Sequence, residues 1–207
     1  VTLLPSLAAF TAAAALLTVT PGLDTALVLR TAAVESGRRA RLAALGICLG
    51  CLAWGAIVAV GLGAVLAASP RAYAALRWIG AAYLLWLGLQ LLLKPRQAIA
   101  EPGAGAVRGG ASWLRRGFLT NMLNPKVGIF YVSFLPQFIP AGSDVASITL
   151  LLAAIHAALG FLWFLLLIAA TRPLSTALRR PGLVRTLDRI TGGVFLLFAA
   201  RLAFNPD

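Results

Sequence analysis

Long apolar runs separated by short polar or charged breaks dominate the chain. Six runs stand out: roughly Leu3–Leu29, Leu42–Ala68, Ala72–Leu93, Trp113–Ile139, Ala146–Ala170 and Leu187–Phe204. Each has about the ~20 residues that a helix needs to cross a bilayer core of ~30 Å. The breaks read ESGRRAR at 35–41, SPR at 69–71, KPRQAIAEPGAGAVRGG at 94–110, PAGSD at 140–144, and TRPLSTALRRPGLVRTLDR at 171–189. The pattern predicts an all-α membrane protein of six transmembrane helices.

Two of the runs are interrupted from within. The first carries TPGLD, Thr20 to Asp24, and the fourth carries LTNMLNPK, Leu119 to Lys126. Pro21 and Pro125 cannot donate a backbone hydrogen bond and clash with the preceding turn. Gly22 adds freedom beside one, and Asn121 and Asn124 add amides beside the other. Asn124-Pro125 is a start signal for a new half-helix, with Asn capping and Pro in the first turn; Thr20-Pro21 reads the same way. At ~1.5 Å per residue Pro125 lies about 13 Å past Arg116, and Asp24 lies about 9 Å before Arg30. Irregular backbone at that depth is tolerated only where it is buried in protein or lines a wet cavity.

The halves overlay. RWIGAAYLLW from Arg77 matches RITGGVFLLF from Arg189; LGCL at 49–52 matches LGFL at 159–162; Pro21 matches Pro125. Three spans are an odd number, so the second repeat enters the membrane from the opposite side. The expectation is a single domain over 1–207 with repeat 1 at about 3–93, a Gly- and Pro-containing linker at about 94–112, and repeat 2 at about 113–204. Inverted repeats whose first helices are broken in corresponding positions mark a transport site.

Composition agrees. The chain is 60% hydrophobic and 12% charged over 207 residues, with a mean hydropathy of +0.91. The net charge of +12 would suggest nucleic acid in a water-soluble protein, but the basic residues sit in loops and no aromatic-basic interleaving accompanies them. Arg30, Arg38, Arg39 and Arg41 flank the first break. Lys94, Arg96, Arg108, Arg115 and Arg116 flank the third, and Arg172, Arg179, Arg180, Arg185 and Arg189 the fifth. Only Arg71, Arg77 and Arg201 fall on the other side. The positive-inside rule puts the richer side in the cytoplasm and both termini outside, in the cytoplasmic (inner) membrane.

Asp24 and Lys126 are the charges well inside spans, each costing roughly 2.5–3.5 kcal/mol on insertion scales. One reading is a structural ion pair joining the first and fourth spans. The other is a polar site for a dipolar solute. Lys126 and a half-helix N-terminus would attract a carboxylate, and Asp24 would hold an ammonium group or a proton. His156 is a candidate proton relay, against a packing role. Cys48 and Cys51 read as small packing residues. No metal cluster, cofactor motif or nucleophile–base constellation appears, so an enzyme is not expected. Gly46 and Gly50 permit close helix packing, within the chain or in a homo-oligomer.

The segments TPGLDTALVLR, GRRARLAALGICLG and LTNMLNPKVGIFYVSFLPQFI resemble the lysine-exporter superfamily, in particular its homoserine/threonine-resistance branch (LysE/RhtB). The resemblance runs over nearly the whole chain. It implies a secondary active, proton-coupled exporter of an amino acid or amino-acid derivative, without a bound cofactor. It carries over onto Pro21, Gly22, Asp24, Asn121, Asn124, Pro125 and Lys126. Leu23 stands where the family commonly has a second proline, which implies a softer first break. An exporter of a metal cation or another small compound is the alternative reading.

Overall fold

A computed structural model describes residues 2–68, 70–94, 110–170 and 180–204. Within them every regular element is helical. Most of the expected linker, and residues 171–179 of the fifth break, lie outside the described residues.

The first apolar run is two helices, α1 (Leu3–Val19) and α2 (Leu23–Val34), bent by 51°. Pro21 disfavours helical geometry in the residue before it, and Thr20 leaves the helix at φ −69°, ψ 115°. The N-cap of α2 is Gly22, whose extended backbone carries no side-chain cap. This corrects the expectation that Thr20 caps the second half. Thr20 instead closes α1, its hydroxyl turned back onto the Leu16 carbonyl at 2.7 Å. Leu23, expected to soften the break, is the first residue of α2.

Helix α3 (Gly37–Ala68) begins earlier than its apolar run, directly after a turn held by the Glu35–Arg39 ion pair. Helix α4 spans Pro70–Leu93 and α5 spans Gly110–Met122. The second break is Leu123–Asn124. Here the capping expectation is met: Asn124 Oδ1 accepts from the Lys126 amide at 3.1 Å, and Pro125 opens α6 (Pro125–Ile129). The fourth apolar run reaches Ile139, with no further interruption expected after Pro125. It passes instead into a π turn (Phe130–Phe134) and a 3₁₀ turn (Leu135–Phe138). Pro136 withholds the amide that the Val132 carbonyl would need, and the Leu135 amide reaches back to the Phe130 carbonyl, so the ladder slips register. Gly142, at φ 78°, turns the chain into α7 (Val145–Ala169), which Asp144 caps by accepting from the Ser147 amide at 2.8 Å. Helix α8 covers Pro181–Phe204.

Helices Gly37–Gly61 and Val145–Ala169 are each long and apolar enough to cross a membrane, and the bent α1–α2 pair is a third candidate. Helix α3 packs against α5, α7 and α2, while α4 packs mainly on α8. Missing side chains set these approaches. A Cβ on Gly46 would fall 2.0 Å from the Leu114 carbonyl oxygen, and one on Gly117 would fall 2.0 Å from that of Ala43. The same reciprocity holds for Gly88 and Gly192 across α4 and α8, at 2.9 and 2.8 Å. Gly46 and Gly50 thus serve packing within the chain. The core between them is aromatic: Phe10, Phe130, Tyr131, Phe134 and Phe138 are all buried, with Phe10 edge-on to Phe138 at 5.4 Å.

Candidate functional site

The two breaks brace each other. In an unbroken helix the Leu17 carbonyl would accept from the amide of residue 21, but proline has none. Lys126, arriving from the second break, fills the gap. Its ammonium donates to the Leu17 carbonyl at 3.0 Å and to the Thr20 carbonyl at 2.9 Å. A cation at the C-terminal end of α1 also sits where the helix dipole favours it. In return Asp24, in the first turn of α2, accepts from Asn121 Nδ2 at 2.9 Å. Its negative charge lies at the favourable end of that helix.

Asp24 and Lys126 therefore meet in space. Asp24 accepts from the amide of Asn121, the Lys126 ammonium donates to the carbonyls of α1, and the two charges also act on each other electrostatically. The Asn124 amide lies close to the same carboxylate without reaching hydrogen-bond geometry.

Between the breaks lies a cavity of about 50 Å³. Its wall includes Thr20, Gly22, Asp24, Asn121, Asn124, Lys126 and His156, so most of the residues singled out in the sequence share one space. Pro21 and Pro125 shape the breaks without lining it. His156 Nδ1 is 3.1 Å from the Tyr131 hydroxyl. Cys48 and Cys51, expected to be packing residues, also line the cavity. Asn121 Nδ2 reaches Cys51 Sγ at 3.5 Å, and Cys48 Sγ reaches the Ala157 carbonyl at 3.4 Å. Among the described residues, no group of three or more His, Cys, Asp and Glu side chains is placed to hold a metal ion.

Other contributors escaped the sequence reading. Thr18, one turn into α1 from the break, lines the cavity. Thr191 of α8 shares a 2.6 Å hydrogen bond with Thr20, tying the last helix to the first break. Tyr131 sits in the π turn, whose signal in sequence is Pro136 five residues on. A second, larger crevice of about 350 Å³ shares Asn124 with the first and is lined mostly by apolar groups including Trp54, Ile79 and Val132.

Described residues whose regular elements are all helical, with two or three apolar spans and a cavity carrying polar side chains between two helix breaks, fit a multi-pass membrane protein of the transporter kind. Comparison with known proteins makes this specific. The model of the family described as LysE type translocator matches residues 15–205, and the chain belongs to that family. Its members are transporters and not enzymes. A membrane protein of Bacillus subtilis (strain 168), YrhP, is 28% identical over 97% of this chain and 99% of its own. A leucine efflux protein of Enterobacter sp. (strain 638) is 32% identical over 88% of each chain. One from Klebsiella pneumoniae is 29% identical over 88% of this chain and 87% of its own. No solved structure matches.

Proposed function

We propose that this protein is a secondary active exporter of an amino acid or amino-acid derivative, driven by the proton gradient across the cytoplasmic membrane. The observation that carries the reading is the pairing of opposite charges from the two breaks, Asp24 and Lys126, around one buried cavity. Such a dipolar site matches a zwitterion, with its ammonium toward Asp24 and its carboxylate toward Lys126. The leucine efflux relatives support export and an amino-acid cargo. Asp24 is the proton-accepting group in this proposal and His156 a second station.

The proposed architecture is six spans in two inverted three-helix repeats, forming one domain. Equivalent positions of Pro21 and Pro125, and two helix breaks facing one cavity, support it. The loops rich in Arg and Lys then lie in the cytoplasm and both termini outside. A cavity of about 50 Å³ is well below the roughly 300–1,000 Å³ of ordinary ligand pockets. At that volume a whole amino acid does not fit, so passage of a solute needs the broken halves to part. Proteoliposomes loaded with labelled leucine test the function. Exchange against external amino acids that accelerates under an imposed pH gradient is the expected result. No exchange with any amino acid would refute the proposal.

A further inference from the structure

We infer that Thr18, Asp24 and Asn121 together form a receptor for a primary ammonium group, an inference that rests on the amino-acid reading above. Three buried oxygens of cavity-lining residues have no hydrogen-bond partner: Thr18 Oγ1, Asp24 Oδ1 and Asn121 Oδ1. They come from α1, α2 and α5, so both sides of the first break and the end of the helix before the second contribute one each. Asn121 is fully buried. Its amide nitrogen is committed to Asp24, which leaves its oxygen as an acceptor. That oxygen lies over Gly50, where a Cβ would stand only 2.6 Å away, so position 50 brings no donor to it.

Buried acceptors without donors are costly and uncommon, and each calls for an explanation. A group that satisfies all three must bring several donors in a small volume, and a positive charge for the one carboxylate. A primary ammonium has three N–H donors on one atom. At roughly 10–15 Å³ per water-sized group, a cavity of about 50 Å³ admits a head group and little more. A secondary amine brings two N–H donors and an added carbon; a quaternary amine brings none. The receptor should therefore read the number of N–H donors. The carboxylate of the same solute would then face Lys126, which lines the same cavity.

The test uses the purified full chain in liposomes, with labelled leucine inside and unlabelled leucine or N-methyl-leucine outside. Wild type should exchange leucine with an apparent affinity about tenfold or more better than for N-methyl-leucine, because the analogue leaves one acceptor unmet. Thr18→Val should weaken leucine and narrow the gap between the two, while Thr18→Ser should restore both values. Equal exchange of leucine and N-methyl-leucine by wild type would overturn the receptor while leaving amino-acid export standing. So would undiminished discrimination in Thr18→Val. Exchange with no amino acid at all would overturn the export reading and the receptor with it.

Discussion

Replacing Lys126 by methionine isolates the brace between the two breaks. Methionine keeps most of the stem's length and removes the ammonium. The Leu17 and Thr20 carbonyls then lose donors at 3.0 and 2.9 Å, and the Leu17 carbonyl gains no backbone substitute, because residue 21 is proline. Bonds of this kind between membrane helices are worth on the order of 0.6–2 kcal/mol each. Two of them put the loss at about 1–4 kcal/mol. Reversible unfolding of purified protein in mixed micelles, followed by far-UV circular dichroism, measures it. The mechanism makes a second demand. Pro21→Ala restores an amide opposite the Leu17 carbonyl, so it should lessen the penalty of Lys126→Met, and the double-mutant cycle should show coupling above about 0.5 kcal/mol. If Lys126→Met is as stable as wild type, or the two changes add independently, the ammonium is not capping the broken helix.

Other perturbations follow from the same contacts. Gly50→Ala places a Cβ 2.6 Å from Asn121 Oδ1, which must swing away from Asp24; exchange should fall sharply while stability drops by about 1–3 kcal/mol, and an active variant would refute the fit. Tyr131→Phe removes the hydroxyl 3.1 Å from His156 Nδ1 and should cost about 1 kcal/mol in the same unfolding assay. The Asp144 carboxyl is held below its usual 3.8 by accepting hydrogen bonds from Ser147. A depressed folded-state value means that its contribution is present above the ordinary carboxylate range and fades as pH falls through it. The stability gap between wild type and Asp144→Ala should therefore close on acidification, and a gap that persists would refute the cap.

Much of this was legible in the sequence because the bilayer restricts what a chain can do. Apolar runs gave the helices, and two prolines in otherwise apolar runs gave the breaks. Charges too costly to bury idly gave Asp24 and Lys126. What each charge touches was not legible. That Lys126 replaces the amide missing at Pro21 depends on how two segments a hundred residues apart in the chain are packed, which no local pattern encodes. The Thr20 cap failed because Gly22 absorbs the turn and starts the next helix two residues later. The π and 3₁₀ turns were missed because Pro136 near the end of a run reads as a terminus. Thr18 was passed over and Cys51 was read as a packing residue because a hydroxyl or thiol on an apolar helix is ordinary in composition. Only their shared cavity distinguishes them.

The central claim is that Asp24, set between two mutually braced helix breaks, is where solute and proton act. Asp24→Asn tests it most directly, since the amide oxygen can still accept from Asn121 while the negative charge is gone. In proteoliposomes the variant should fold as wild type does, yet lose leucine exchange and its response to a pH gradient. Wild-type exchange and an undiminished pH response in Asp24→Asn would contradict the account.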